Sequence, residues 1–431
     1  MQYKFKFLLL LTVAIITVSS CQTDIPVVPQ QGEQPVKPEE PEEPEKGPTF
    51  SALHVEGRWL VDENGFRHNL HGFAQTYSPW FNEQGSKWNN YDVAKCLSYN
   101  QGLIDNIIEQ GWKMDFVRMH MDPYWSDKPN VRTTGENDIS AFDFERFKKY
   151  LDLVFVPMAE YIIEKGMYVV MRPPGVCPEK ISIGGDYHNY LKKVWTYVAQ
   201  HPKLQNNGYV MFELANEPIQ ICDDKGNGID NWNGSTFNAR GQQIQKFMQE
   251  IVDEMRKYCN NILLIPGLHY QMLYKTFDKY PVKGENIGYA VHCYPGWYNS
   301  GYDKEVEVVY NKFKAGWDNE IMPIGRKAPI VVTEMDWAPE KYKASWGKAI
   351  TGVAGGNGFG ANFMKVCDES CNISWLLFTG PEWLAKYDDA AADGNSFLTD
   401  PEACPRPVYR KYLEYAQPEY SALINAEGYG E

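Results

Sequence analysis

The chain has 431 residues, 14% of them aromatic and 23% charged, with a formal net charge of -14 at pH 7. That balance excludes a nucleic-acid binder, which needs clustered Lys and Arg against phosphate, and it suits an uncharged partner. Roughly 380 residues of ordinary globular composition follow the first fifty, a length compatible with one large α/β barrel carrying insertions.

At the start, Lys4 and Lys6 precede the apolar run Phe7 to Val18, which Ser19-Ser20-Cys21 ends. The run is too short for a comfortable membrane span and has the charged-then-apolar layout of an export signal. The residues before Cys21 resemble a relaxed bacterial lipobox. Cys21 is therefore expected to be the lipidated first residue of an exported outer-membrane lipoprotein, at the cell surface or in the periplasm. The alternative is an ordinary signal peptide cleaved nearby. From Gln22 to about Pro48 the chain is rich in Pro, Glu and Gln, a composition that buries no core and stays extended. The domain reading is thus a signal at 1–21, a flexible linker at 22–49 and one folded domain at 50–431. Contact with membrane is expected through the lipid anchor only, and a monomer is expected.

Within the folded domain, His54 to Phe66 reads as a hairpin with a turn at Glu63-Asn64-Gly65 that closes the bottom of a barrel. Strand patterns follow at Asn69–Phe73, Phe116–His120, Tyr168–Arg172, Tyr209–Ala215, Ile262–Pro266, Gly288–His292, Ile330–Thr333 and Ile373–Phe378. Helix patterns lie between them at Leu103–Glu109, Phe142–Glu164, Tyr190–Ala199, Phe237–Tyr258, Val306–Trp317 and Asn362–Val366, with a last one at Val408–Tyr415. The helix after the fifth strand is the least marked, around Tyr270 to Phe277. Alternation of this kind predicts parallel βα units, hence a (β/α)8 TIM barrel.

Chemistry concentrates at the carboxyl ends of these strands. The apolar run from Tyr209 stops at Asn216-Glu217-Pro218, where the proline cannot donate to a sheet ladder. A second strand ends in Thr333-Glu334. Two glutamates at two strand ends suggest glycoside hydrolysis, because breaking an acetal needs one carboxyl to protonate the leaving oxygen and another to meet the charge at the anomeric carbon. With Val117-Arg118 after the second strand and His292-Cys293-Tyr294 after the sixth, residues 50 to 420 resemble the family 5 glycoside hydrolases, the cellulase family. The resemblance implies a retaining enzyme with Glu217 as acid/base and Glu334 as nucleophile, their carboxyls roughly 5 to 5.5 Å apart. It implies cleavage of a β-linked polysaccharide or oligosaccharide, endo-β-glucanase- or mannanase-like, without a cofactor.

Side-chain chemistry adds supporting roles. A negative Glu334 is expected to raise the pKa of Glu217 and keep it protonated. Arg118 can fork onto Glu334, Tyr294 can donate to it, Asn216 can bind a sugar hydroxyl, and His292 can hold the acid/base or contact sugar. Read blandly, Glu217 and Glu334 are surface charges or helix-cap neighbours, Arg118 a structural ion-pair partner, and His292 and Tyr294 packing residues. Four motifs in the right order at strand ends weigh against that.

Two positions depart from the family pattern. After the third strand the family presents histidine and this chain has Arg172, with His188 further on. At the eighth, Trp375-Leu-Leu-Phe378 puts phenylalanine where the family has a tryptophan platform. Arg172 is expected to take over the histidine's hydrogen bonds, and Trp383 to supply the platform. Sugar faces stack on aromatic rings, and the candidates are Tyr77, Trp80, Trp88, Tyr124, Trp125, Trp232, Trp297, Trp337 and Trp383. Beyond Cys21, eight cysteines show no metal-like spacing. Cys177 with Cys222 is the best disulfide pair, the alternative being that all are reduced. The rival functions are a surface glycan-binding protein without turnover on the same fold, and a transglycosylase using the same residues.

Overall fold

The computed structural model describes residues 50–75, 92–109, 111–112, 114–121, 138–300, 310–335, 359–378, 424–426 and 428. The proposed signal, Cys21 and the linker at 22–49 lie outside them, as does the helix expected at Val408–Tyr415.

Three short strands, β1 (Leu53–Glu56), β2 (Trp59–Asp62) and β3 (Arg67–His68), form an antiparallel meander. The turn expected at Glu63–Gly65 joins β2 to β3, and a second turn at Gly57-Arg58, missed in the sequence, joins β1 to β2. A closed barrel follows: β4 (His71–Gln75), β5 (Phe116–His120), β6 (Tyr168–Arg172), β8 (Val210–Glu213), β10 (Leu263–Pro266), β11 (Ile287–Cys293), β12 (Ile330–Met335) and β13 (Ile373–Leu377), all parallel. Two two-residue strands, β7 (Lys180–Ile181) and β9 (Gln220–Ile221), pair with each other above the barrel strands they follow. The first barrel strand begins two residues later than its sequence suggests. There the Asn69 side chain bonds the Cys371 carbonyl and the Leu70 amide the Ser374 hydroxyl, while the Leu70 carbonyl accepts from the Trp375 amide.

The barrel interior is built in layers, as the two-residue period of a strand requires. The lower interior is apolar and takes a residue from each barrel strand: Ala74, Phe116, Val170, Met211, Leu264, Ala290, Val331 and Leu376. Leu53 and Leu60 of the meander cap it from below, and Arg58 ties the meander to Asn372 at 2.7 Å. Two residues further along the same strands stand Arg118, Arg172, Glu213, His292, Thr333 and Phe378. An apolar floor thus carries a polar layer.

Two helix expectations need correction. The helix read over Phe142–Glu164 runs as Phe144–Tyr150, a wide π turn at Leu151–Phe155, and Val156–Glu164. Pro157 lacks an N–H and crowds the carbonyl four residues back, and the wider turn relieves both. The helix read over Tyr270–Phe277 shrinks to Lys275–Lys279. His269, Tyr270 and Gln271 before it adopt left-handed φ of 51°, 59° and 61°, which ends any right-handed helix.

The seven described cysteines are free, so the Cys177–Cys222 pairing is not formed. Cys177 is buried with its thiol toward Tyr187, whereas Cys222 ends the β7–β9 ribbon and bridges to Gly228. Among the described residues no helix is long and apolar enough to cross a membrane.

Gly72 tests the tightness of the closure between β4 and β5. A Cβ there would lie 2.2 Å from the Phe116 carbonyl oxygen and 2.6 Å from its ring. Gly72→Ala should destabilise the fold by about 1–3 kcal/mol, the range for overpacked cores, measured as a lowered denaturant midpoint at unchanged slope.

Candidate active site

A cleft of about 650 Å³ opens at the carboxyl end of the barrel, lined among others by His120, Arg172, Asn216, Glu217, Tyr294, Trp297, Glu334 and Phe378. A second cleft of about 630 Å³ lies at the opposite end, beside the meander and the first residues of β11. It gathers no buried titratable cluster, so the chemistry selects the first.

Arg118 stands at the centre of the polar layer, fully buried. Its Nε and Nη2 donate to the two oxygens of Glu213 at 2.6 and 3.0 Å. Nη2 also donates to Asn216 Oδ1 at 2.8 Å, and Nη1 to Glu334 Oε1 at 2.8 Å. Glu213 further accepts from Gln271 Nε2 and from the Thr333 hydroxyl, each at 2.9 Å. Burial alone pushes the Glu213 carboxyl up, but the Arg118 charge, the hydrogen bonds from Arg118 and the nearby His292 ring at 3.8 Å outweigh it and hold Glu213 well below the usual carboxylate range. The same two carboxylates hold Arg118 charged against its own burial.

Glu334 reaches this cluster because β12 carries a bulge. Val291 pairs with Val332, but His292 pairs with Glu334, leaving Thr333 as the extra residue. Consecutive strand residues ordinarily face opposite sides. The bulge turns both Thr333 and Glu334 inward, the first onto Glu213 and the second onto Arg118. The outer oxygen of Glu334 accepts from the Tyr294 hydroxyl at 2.6 Å. Burial raises the Glu334 carboxyl, but the His292 and Arg118 charges and the two hydrogen bonds bring it below its ordinary value. Glu334 is thus held ionised.

Glu217 faces it. The chain turns at this residue with φ 57°, a left-handed conformation that costs a non-glycine residue about 1–2 kcal/mol. Its amide donates to Gln271 Oε1 at 2.8 Å, so one buried glutamine links the Glu217 backbone to Glu213 below it. His292 Nδ1 lies 3.0 Å from Glu217 Oε1 and 3.5 Å from Glu334 Oε2. Burial opposes the charge on His292, yet Glu334, Glu213 and Glu217 around it push its pKa above the ordinary value. One oxygen of Glu217 and one of Glu334 fall within 4.8 Å of each other. Together with His292 these groups could each offer one donor atom to a metal ion. Each is engaged in a hydrogen bond within the protein, and the fixed charge of Arg118 opposes a cation there.

The sequence pattern of the cellulases, glycosyl hydrolase family 5, matches residues 61–378. The chain belongs to glycosyl hydrolase family 5. An endoglucanase from Bacillus sp. (strain KSM-635) is 27% identical over 150 residues, which are 34% of this chain and only 15% of that protein. A β-glucanase from Saccharophagus degradans superposes with a TM-score of 0.56 at 17% identity, over 86% of this chain and 95% of that one. Its complex with cellotetraose gives 0.55 at the same identity and coverage. At such identity the structures share the barrel fold.

The sequence-selected residues Asn216, Glu217, Tyr294 and Glu334 thus line one cleft with Arg118 and His292 buried against them, joined by Trp297, whose ring meets Tyr294 edge-on at 5.5 Å. Arg172 lines the cleft as well. It is buried, and its guanidinium binds the carbonyls of Pro173 and Gly175 at 2.9 and 2.8 Å and His120 Nδ1 at 2.8 Å. It pins a loop and orients a histidine. That histidine, His120, was missed in the sequence: it sits opposite Arg172 in the ladder, lines the cleft and stacks on Phe378 at 6.0 Å and 19°. Its signal was available, since it follows Arg118 by two on a strand and shares its face. Glu213 and Gln271 were also missed, the first because it reads as part of an apolar strand. Trp375 is buried against His71 and Phe363, part of the packing outside the barrel. His188 is buried in the Asp186–Ala199 helix and bonds the Phe247 carbonyl. Tyr77, Trp80, Trp88, Tyr124, Trp125, Trp337 and Trp383 lie outside the described residues.

Removing one carboxylate from a buried ion cluster strands the cation. Glu213→Gln should cost about 3–5 kcal/mol of stability at neutral pH. Because the folded pKa of Glu213 lies below its unfolded value, its contribution is present above the ordinary carboxylate range and fades as pH falls through the folded value. The gap between wild type and Glu213→Gln in denaturant midpoint should therefore narrow in acid, and a constant gap would contradict this account.

Proposed function

We propose that the protein is a retaining glycoside hydrolase that cleaves β-linked glucan within the chain, with Glu334 as nucleophile and Glu217 as acid/base. The observation that carries the reading is that one carboxyl oxygen of Glu217 and one of Glu334 lie within 4.8 Å of each other, close enough for a single anomeric carbon to touch both. Inverting enzymes need room for a water between the carboxyls, roughly 6.5–9.5 Å, while retaining ones stand about 5–5.5 Å apart. Membership of the cellulase family and the endoglucanase relative support glucan as the substrate.

In the first step a Glu334 oxygen bonds to the anomeric carbon as the glycosidic C–O bond breaks, and Glu217 gives its proton to the departing oxygen. In the second, water attacks that carbon, its proton passes to Glu217, and the ester to Glu334 opens. Arg118 and Tyr294 hold the Glu334 rotamer and its charge. Gln271, binding the Glu217 amide, holds the acid in its left-handed turn. Asn216, whose oxygen is fixed by Arg118, has its amide nitrogen for a sugar hydroxyl beside the reacting carbon. His120, oriented by Arg172, presents its ring in the cleft where the family has a histidine from the third strand, and Phe378 supplies the aromatic wall.

Glu217→Gln should lower kcat on soluble β-glucan by at least about 10²-fold while oligosaccharide binding survives. Wild-type protein that binds β-glucans, β-mannans and β-xylans without releasing reducing ends would instead identify a glycan-binding protein on this fold.

The acid limb of the rate profile reports the nucleophile. Glu334 is held low partly by Arg118, so weakening that contact raises its pKa and protonates it at a higher pH. Arg118→Lys should move the acid limb of kcat/KM to higher pH, and an unmoved limb would remove Arg118 from this role.

A further inference from the structure

Among the described residues, few large aromatic rings are exposed, and two of those few are neighbours of the cleft: Trp232 is 62% exposed and Tyr270 38%. His269 stands between them. Its ring meets Trp232 edge-on at 4.7 Å and 78°, and Tyr270 at 5.3 Å and 70°. His269 and Tyr270 line the cleft that holds Glu217 and Glu334, and Trp232 continues the row beyond its lining.

Both loops that carry the row are pinned to the residues just after Glu217. The His269 amide donates to the Ile219 carbonyl at 3.0 Å and the Tyr270 amide to that of Pro218 at 3.1 Å. Asn231 Nδ2 donates to the same Ile219 carbonyl at 2.9 Å. The Asp230 carboxylate accepts the amides of Trp232 and Asn233 at 2.7 and 3.1 Å, and its carbonyl accepts from Thr236 and Arg240. A large apolar ring is thus held out into solvent on a rigid turn. It adds nothing to the core, and rigid aromatics of this kind serve recognition at low entropic cost. Burial also holds the His269 pKa below its ordinary value, so the row is uncharged near neutrality and suits an uncharged ring.

We propose that Trp232, His269 and Tyr270 form a sugar-binding ridge on the leaving-group side of the cleft, stacking on the pyranose rings of the departing part of a β-linked glycan. The side follows from Glu217: the acid stands beside the leaving oxygen, and the ridge starts at the residues bonded to Pro218 and Ile219. This rests on the reading of Glu217 as acid/base. The same ridge positions a sugar acceptor after the first step. The acceptor hydroxyl bonds to the anomeric carbon, the ester to Glu334 opens, and the hydroxyl proton passes to Glu217, in competition with water.

The test uses the full chain and β-1,4-linked gluco-oligosaccharides of increasing length beside an aryl β-glycoside of the same donor sugar. In Trp232→Ala the ratio of kcat/KM on the long substrate to that on the aryl glycoside should fall about 2- to 10-fold, the range for one aromatic contact. Trp232→Tyr should restore most of it. An equal change on both substrates overturns the ridge. Because Trp232 is exposed, the alanine variant leaves the core intact, which its denaturant midpoint checks. Calorimetric titration of the long oligosaccharide into Glu217→Gln, with and without Trp232→Ala, separates the two readings. Affinity weakened by the same factor supports the ridge, and unchanged affinity overturns it even in an active enzyme. Weakened affinity in a protein whose wild type shows no turnover keeps the ridge as a sugar site and removes the acid/base reading instead.

Discussion

A guanidinium buried at the top of a barrel core is the constraint around which this site is arranged. A cation taken out of water must be paired and its N–H groups satisfied, or the cost runs to several kcal/mol. Arg118 meets that demand with Glu213 as a two-oxygen partner, Glu334 at one Nη and Asn216 at the other. Structural and chemical groups thus share one cation: Glu213 neutralises it from below, and its remaining donors orient the residues that face the cleft.

Geometry alone does not bring the two cleft carboxylates together; local departures from ideal backbone do. A bulge in β12 lets Thr333 and Glu334 both face inward. On the other side Glu217 is left-handed, and so are three successive residues of the loop after β10. Each such residue is disfavoured by about 1–2 kcal/mol, and the hydrogen bonds of Gln271 to Glu217 and Glu213 compensate from within the buried layer. Strain that recurs in two adjacent loops, both facing one cleft, belongs with the positioning of Glu217.

The two positions where the chain departs from the expected pattern lie next to one another in the cleft. The third barrel strand offers arginine in place of histidine, and the second offers His120 in the adjacent ladder position, with Arg172 donating to its ring. An imidazole thus stands in the cleft on the second barrel strand. Phe378 stacks on that ring, so the change at the eighth strand and the change at the third meet in one contact.

The (β/α)8 architecture, all eight barrel strands to within about two residues, and the grouping of Arg118, Asn216, Glu217, His292, Tyr294 and Glu334 were legible in the chain alone. Apolar strands ending in polar residues state both their period and their carboxyl ends, and a barrel brings those ends together. The sequence did not give Glu213, Gln271 or His120, the free state of Cys177 and Cys222, or the left-handed turn where a helix was expected. Whether a glutamate in an apolar strand faces a buried arginine, which face a residue takes beside a bulge, and whether two thiols point at each other are set by neighbours far away in the chain. Only the packed barrel brings those neighbours into contact.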